Sequence, residues 1–306
     1  MIINRVAIIG AGAIGSYFIA GLSEKLGENL WVIAEGDRRE RLQKNGIVIN
    51  GSMMPLHVKT AREAAGADLL IIGVKYGALQ EVLPLVERIV DEHTIVMSPL
   101  NGIDSESIVG ERIGMEHMVY SLMKIAAQRV ENQITYDPDV TLGLFFGEKD
   151  GSRSERILAI ASLLSDSGVH YHICDNIEQD IWFKYALNIS KNLPQAIIGC
   201  GFGAYTDSEH VAYISERMRE EVVRVAAAKG IDIRDPNNPA GNNTAISPDS
   251  RFSTLQDLDA KRTTEIEMFS GALIRMGKEL GIETPFNAFA YHAIKALEEK
   301  NSGKIS

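Results

Sequence analysis

The opening of the chain limits its fold more than any other segment. An apolar run ending Val6-Ala7-Ile8-Ile9 passes directly into Gly10-Ala11-Gly12-Ala13-Ile14-Gly15, and from there into a helical pattern over residues 14–26. A continuous apolar run, rather than an alternating one, marks a strand buried on both faces inside a parallel sheet. Glycines at the first, third and sixth positions of the turn meet three demands of a pyrophosphate site. Gly10 permits the sharp turn, Gly12 lets an anion approach the backbone, and Gly15 lets helix and strand pack closely. The helix N-terminus supplies donors to the anion, so Gly10, Gly12, Ala13, Ile14 and Gly15 are the candidate dinucleotide cradle. The same glycines would also serve a turn that only packs.

The alternation continues down the chain. Strands are expected over residues 5–9, 30–34, 69–74, 94–98 and 118–122, with helices over 14–26, 38–44 and 79–90 between them, which is the grammar of a doubly wound sheet. Strand-like pieces at 133–136, 140–146 and 169–172 extend that sheet or give it an antiparallel edge. Past a boundary near Asp175 the periodicity is helical over 177–193, 207–229, 253–280 and 287–300. The expected fold is therefore α/β, an N-terminal Rossmann-type doubly wound sheet (1–175) followed by a C-terminal all-α domain (176–306). The Pro/Gly/Asn-rich stretch 235–243 reads as a loop.

A length of 306 residues suits two domains, and 45% hydrophobic with 24% charged residues excludes a disordered or collagen-like chain. The net charge of -10 argues against nucleic acid or a basic membrane-surface role. Cys174 and Cys200 are too few for a disulfide scaffold and too far apart for a CxxC pair. With neither a signal-peptide pattern nor a long apolar run, the expectation is a cytoplasmic protein without a transmembrane helix. His170-x-His172 lacks a third ligand at suitable spacing, so no metal site is expected.

Glu35 lies twenty residues past Gly15, at the end of the second strand. An acid there accepts hydrogen bonds from an adenosine ribose diol and repels a 2′-phosphate, which favours NADH. Arg38 and Arg39 follow, and either clamp a 2′-phosphate or form the solvated first turn of a helix. In the second half, Ile181-Trp182-Phe183-Lys184-Tyr185-Ala186-Leu187-Asn188-Ile189-Ser190-Lys191-Asn192-Leu193-Pro194 places Lys184, Asn188 and Asn192 four residues apart, in one polar stripe of an otherwise largely apolar helix. Solvent exposure is one explanation of such a stripe. The apolar neighbours Trp182, Phe183, Leu187 and Ile189 favour the other, a desolvated lysine tuned for proton transfer.

Together with Asn101-Gly102 and Ser253-Thr254-Leu255-Gln256-Asp257 followed by Thr264-Glu265-Ile266, these segments resemble the ketopantoate reductase (2-dehydropantoate 2-reductase) family, in order along nearly the whole chain. The resemblance implies that a Rossmann domain holds NADPH, that an all-α domain closes over it, and that a 2-keto acid, ketopantoate above all, is reduced to the 2-hydroxy acid in pantothenate biosynthesis. It implies Lys184 as general acid, and Asn101, Asn188, Asn192 and Ser253 as substrate ligands. Glu265 would lie against the lysine or the nicotinamide ribose, with Lys75 and Asn101 beside the cofactor. A helical second domain also offers a face for a homodimer.

Glu35 departs from the pattern, since NADPH-using members commonly carry arginine there. In this respect the chain resembles NAD-dependent D-2-hydroxyacid dehydrogenases such as D-mandelate dehydrogenases. The loop at 235–243 has no counterpart in the family pattern.

Local alternatives exist for each residue: a turn at Asn101-Gly102, a capping box from Ser253 to Gln256, a Lys261–Glu265 helical pair, and a solvated Lys75. One unbroken helix would hold Ser253 and Glu265 about 18 Å apart, so they touch different ends of the cofactor–substrate pair or the helix starts after Ser253. A non-enzymatic NAD(P) sensor is a further alternative, against which the polar set of the second domain argues. Tyr120/Lys124 and Tyr291/Lys295 mimic the Tyr/Lys pair of short-chain dehydrogenases, but the glycine loop is spaced differently and neither pair follows a fourth strand on a helix.

Overall fold

The computed structural model describes residues 1–234 and 246–306; the loop expected at 235–243 lies outside the described residues. The chain divides into two units, Met1–Ile177 and Glu178–Ser306.

In the first unit, β1 (Val6–Ile9) leads through α1 (Ala13–Leu26) to β2 (Leu30–Ile33) and α2 (Gly36–Asn45), then to β3 (Ile47–Ile49), β4 (Ser52–Met54) and β5 (His57–Lys59). Next come β6 (Leu69–Ile72), α3 (Leu79–Ile89), β7 (Ile95–Met97), α4 (Ser105–Ile113) and β8 (Met118–Lys124). β9 (Ala127–Val130), β10 (Gln133–Tyr136), β11 (Gly143–Gly147), α5 (Glu155–Leu164) and β12 (Tyr171–Ile173) complete it. The main sheet runs β12-β11-β8-β7-β6-β1-β2-β5. Its pairs are parallel except β8–β11, which is antiparallel.

Every side chain of β1 is buried because the sheet has a core on each face. Val6 and Ile8 join Tyr17, Phe18 and Leu22 of α1, while Ala7 and Ile9 join Leu79, Leu83 and Val86 of α3, as the period of two dictates. After β5 the chain returns to the free side of β1 and lays down β6. The strand order therefore reverses between β1 and β6, and ligands of open α/β sheets bind at the carboxyl ends of such strands.

The five expected strands and three expected helices of the first half are all present. Residues 133–136, however, do not extend the main sheet. They pair with β3 and β9 in a separate four-stranded sheet, β4-β3-β10-β9. Its β3–β4 hairpin turns on Asn50 (φ 48°) and Gly51 (φ 80°), the positive-φ pair of a type I′ turn.

Among its described residues the second unit is helical: α6 (Ile177–Ile198), α7 (Ala204–Asp207), α8 (Glu209–Ala228), α9 (Ser253–Asp259), α10 (Ala272–Leu280) and α11 (Pro285–Asn301). The single helix expected over 253–280 is broken. Lys261 turns left-handed (φ 53°) and Arg262 folds back onto the Asp257 carboxylate at 2.7 Å. Thr264 gives both its N–H and its hydroxyl to Glu298 of α11 at 2.7 Å. A π-helical turn, Glu267–Gly271, then leads into α10.

Buried Glu221 of α8 closes the start of α11. Its carboxylate accepts the N–H groups of Phe286 and Asn287 at 2.9 Å and the Asn287 amide at 2.8 Å, donors that no intrahelical carbonyl reaches. Glu221→Ala is expected to cost about 3 kcal/mol of unfolding free energy, measured by urea titration. A loss under about 0.5 kcal/mol would show that the cap contributes no more than an ordinary surface group.

Candidate active site

The glycine turn is a three-way backbone contact. Gly10 (φ 99°) has no room for a Cβ, which would lie 2.6 Å from the Gly73 carbonyl oxygen, and a Cβ on Gly15 would lie 1.8 Å from that of Gly10. Gly12 differs. The nearest atom to its Cβ position is Gly73 O at 3.8 Å, so the space over it is open. Gly12 is also the N-cap of α1, with no side-chain cap and no acid in the first turn, which leaves the helix-end N–H groups at Ala13 and Ile14 for an anion. These residues fit a dinucleotide pyrophosphate.

The other candidates of this unit follow the carboxyl ends of neighbouring strands. Glu35, exposed, comes after β2 and caps α2 through its backbone; its Oε1 accepts the Ala61 N–H at 2.9 Å. Arg39 pairs with Glu63 at 3.2 Å, whereas Arg38 has its pKa lowered by desolvation and by the nearby cations Arg129 and Arg41. Arg38 is exposed and Arg39 partly so in the first turn of α2, as the solvated-turn explanation has it. Lys75 follows β6 ahead of the short turn Tyr76–Ala78. Asn101 lies, half-buried, in the bend between β7 and α4, where Gly102 has φ 103°, so the turn read at Asn101-Gly102 is present.

In the second unit α6 carries the lysine stripe. Lys184 and Asn188 are half-buried, and Asn192 is 8% exposed. The stripe itself is half-buried to buried, so it is not a solvated face, and Trp182, Phe183 and Tyr185 bury the adjoining faces of the helix. The Tyr185 hydroxyl donates to the Phe269 carbonyl at 2.6 Å. This bond ties α6 to the π turn that begins two residues after Glu265.

Sequence reasoning missed Gln195, fully buried on the same stripe. Its amide nitrogen donates to Ser250 O at 2.9 Å and its oxygen accepts the Phe252 N–H at 2.6 Å. Both contacts fix the backbone immediately before Ser253. The signal was present, since Lys184, Asn188, Asn192 and Gln195 share one helical phase.

Ser253 opens α9, but Phe252 is the N-cap and no side chain caps the helix. Gln256 reaches instead to the Arg251 carbonyl at 2.6 Å, so no capping box forms. Lys261 stands in a turn outside α9 and α10, which removes the helical pairing with Glu265. The break also removes the straight helix that would have held Ser253 and Glu265 far apart. Tyr291 donates to Glu267 at 2.5 Å and Lys295 pairs with Glu298 at 2.8 Å, while Tyr120 and Lys124 share strand β8. Tyr291 and Lys295 do share helix α11, each bonded to a glutamate, whereas the first pair is not helical.

Two family models match the chain: "Ketopantoate reductase PanE/ApbA" over residues 6–144 and "Ketopantoate reductase PanE/ApbA C terminal" over 176–298. A 2-dehydropantoate 2-reductase of Archaeoglobus fulgidus is 26% identical over 302 residues, covering 97% of this chain and 99% of its own length. Among solved structures, D-mandelate dehydrogenase with NADH and anilino(oxo)acetate is similar with TM-score 0.83 at 24% identity, covering 97% of this chain and 99% of its own. A dimeric ketopantoate reductase from Staphylococcus aureus is similar with TM-score 0.78 at 20% identity and the same coverage. Among the described residues no helix is long and apolar enough to cross a membrane.

Proposed function

The chain belongs to the ketopantoate reductase family, and from that premise we propose that it is an NAD(P)H-dependent oxidoreductase that reduces a 2-keto acid, 2-dehydropantoate in the first instance, to the 2-hydroxy acid. The observation that carries this reading is the half-buried Lys184 in line with Asn188 and Asn192 on a helix packed by aromatic side chains. The glycine turn holds the pyrophosphate on Gly10, Gly12, Ala13, Ile14 and Gly15; Glu35 takes the adenosine ribose through its second oxygen, and Lys75 and Asn101 lie toward the nicotinamide end. The cofactor, when bound, supplies the hydride for C2 of the keto acid. Lys184 holds the balancing proton on Nζ and gives it to the carbonyl oxygen as negative charge builds there. The amides of Asn101, Asn188 and Asn192 orient the keto acid, Ser253 takes its carboxylate or an adjacent hydroxyl, and Glu265 orients the lysine or the nicotinamide ribose.

A second reading, NADH-dependent reduction of a bulkier keto acid, is favoured by Glu35 and by the likeness to D-mandelate dehydrogenase. Cofactor oxidation measured with 2-dehydropantoate and a panel of aliphatic and aryl 2-keto acids, with NADH and NADPH in turn, separates the two. Consumption of none of them would favour the sensor. Glu35→Arg is expected to move the NADPH-to-NADH ratio of kcat/KM up by about 10- to 100-fold, the worth of one charge-assisted hydrogen bond. An unchanged ratio would transfer cofactor choice to Arg38. A homodimer is supported by the dimeric relative, and a cytoplasmic location by a content of two cysteines, Cys174 and Cys200, too few for a disulfide scaffold.

A further inference from the structure

Residues 98–104 connect β7 to α4, whose first residue is Ser105, and carry Asn101-Gly102. The start of this connection is joined to α4 by one hydrogen bond, from Ser105 Oγ to the Ser98 carbonyl at 3.2 Å. The same hydroxyl lies 3.0 Å from Glu106 Oε2. A serine hydroxyl has a single proton, so it cannot donate to both oxygens. The two contacts are satisfied together only in series, with a protonated Glu106 donating to Ser105 Oγ and Ser105 donating to Ser98. The other carboxyl oxygen, Oε1, accepts the Ser121 N–H at 3.4 Å. β7 pairs with β8 only as far as Met97 opposite Val119, so the carboxyl stands where β7 would have continued.

The surroundings favour the neutral acid. Glu106 is 4% exposed. Asp104, of like sign, acts on it, and its Oδ2 accepts the Tyr76 hydroxyl at 2.7 Å; β8, packed against α4, carries Tyr120 and Lys124. On the elements packed against α4, Glu87 of α3 is tied to Arg112 at 2.9 Å, and His117, in the turn after α4, lies with Nδ1 2.9 Å from the Thr94 carbonyl.

We infer that Glu106 is a positioning residue: held as the neutral acid, it closes the Glu106–Ser105–Ser98 series and thereby fixes the loop that carries Asn101. Its bearing on catalysis rests on the proposed contact of Asn101 with substrate and cofactor. Burial above all, helped by Asp104 and opposed by hydrogen bonds from the backbone, Ser105 and Ser121, pushes the Glu106 pKa up to about 7. The series is thus intact in mildly acidic solution. It opens as pH rises through neutrality, when the carboxylate draws the Ser105 proton away from Ser98.

Amide hydrogen exchange of residues 98–105, corrected for intrinsic rates, tests this between about pH 6 and about pH 8.5. In the native protein, protection of the loop is expected to fall about tenfold across neutrality. In Glu106→Gln, whose amide donates to Ser105 but does not ionise, it should stay flat; Ser105→Ala, lacking the middle proton, should show low protection at every pH. KM for the keto acid should rise with the loss of protection in the native enzyme and stay level in Glu106→Gln. Parallel exchange profiles in native protein and Glu106→Gln would overturn the inference, as would a protection step in Ser105→Ala. A native protein inactive on every keto acid would refute the proposed reaction, while the exchange profiles still decide the role of Glu106.

Thermal melting adds a check independent of activity. Because the folded pKa lies above the unfolded value of 4.5, native stability falls as pH rises from the unfolded to the folded value. Glu106→Gln escapes that loss, so its Tm should gain on the native Tm over this interval and hold the gain above it. A constant Tm difference would contradict the neutral-acid assignment.

Discussion

Lys184→Ala is expected to lower kcat for keto-acid reduction about a thousandfold while the cofactor Kd stays within about twofold. The substitution removes the one proton proposed to pass to the carbonyl oxygen. Nothing in the glycine turn depends on it, because the cradle is built from the backbone of Gly10, Gly12, Gly15 and Gly73. Lys184→Arg should recover little of the loss, since a guanidinium keeps its proton and presents a planar fork instead of a point donor. Equal falls in kcat and kcat/KM would mark an interaction made in the transition state, whereas a rise in KM alone would make Lys184 a binding residue.

Gly15→Ala is expected to be among the most destabilising single-methyl changes in the first unit. The new Cβ would sit 1.8 Å from the Gly10 carbonyl oxygen and 3.3 Å from a methyl of Ile8. The first obstacle is backbone, so no rotamer change relieves it and either α1 or the Gly10 turn must shift. A loss above about 4 kcal/mol, or failure to fold, is expected. Gly12→Ala is the control: with φ -88° and 3.8 Å to the nearest atom, it should fold with Tm nearly unchanged. Its methyl instead occupies the space proposed for the pyrophosphate, and cofactor affinity should fall about 10- to 100-fold. Equal cofactor affinity in Gly12→Ala and the native protein would mean that the open space over Gly12 is not where the pyrophosphate lies.

The parts legible in the sequence were those set by local periodicity. Val6–Ile9 and Leu69–Ile72 are apolar at every position because both faces of the sheet are covered, and Lys184, Asn188 and Asn192 recur at helical spacing whatever surrounds them. The helix break after Asp259 was passed over although Ala260-Lys261-Arg262-Thr263-Thr264-Glu265 interrupts the apolar spacing between Leu258 and Ile266, because such a polar stretch suits an exposed helix as well as a turn. What decides there is tertiary, the return of Arg262 to Asp257 and the capture of Thr264 by Glu298. The Asn50-Gly51 hairpin was missed although its turn residues are explicit, since β3 and β4 are three residues each and complete their sheet only by pairing with β10, far along the chain. Glu106 shows the limit most clearly. In sequence it is an acid in the first turn of a helix, a place where acids are common for the dipole alone. Its burial, its single-proton series with Ser105 and Ser98, and its place beyond the end of β7 exist only in three dimensions.

The most direct measurement follows one hydride. The purified protein is incubated with reduced nicotinamide cofactor deuterated at the transferred C4 position and with the 2-keto acid panel, and the products are read by mass spectrometry. Deuterium at C2 of a 2-hydroxy acid, formed by the native protein and lost in Lys184→Ala, is the predicted result. A native protein that binds cofactor tightly, yet leaves 2-dehydropantoate and every other 2-keto acid of the panel unreduced, would contradict it.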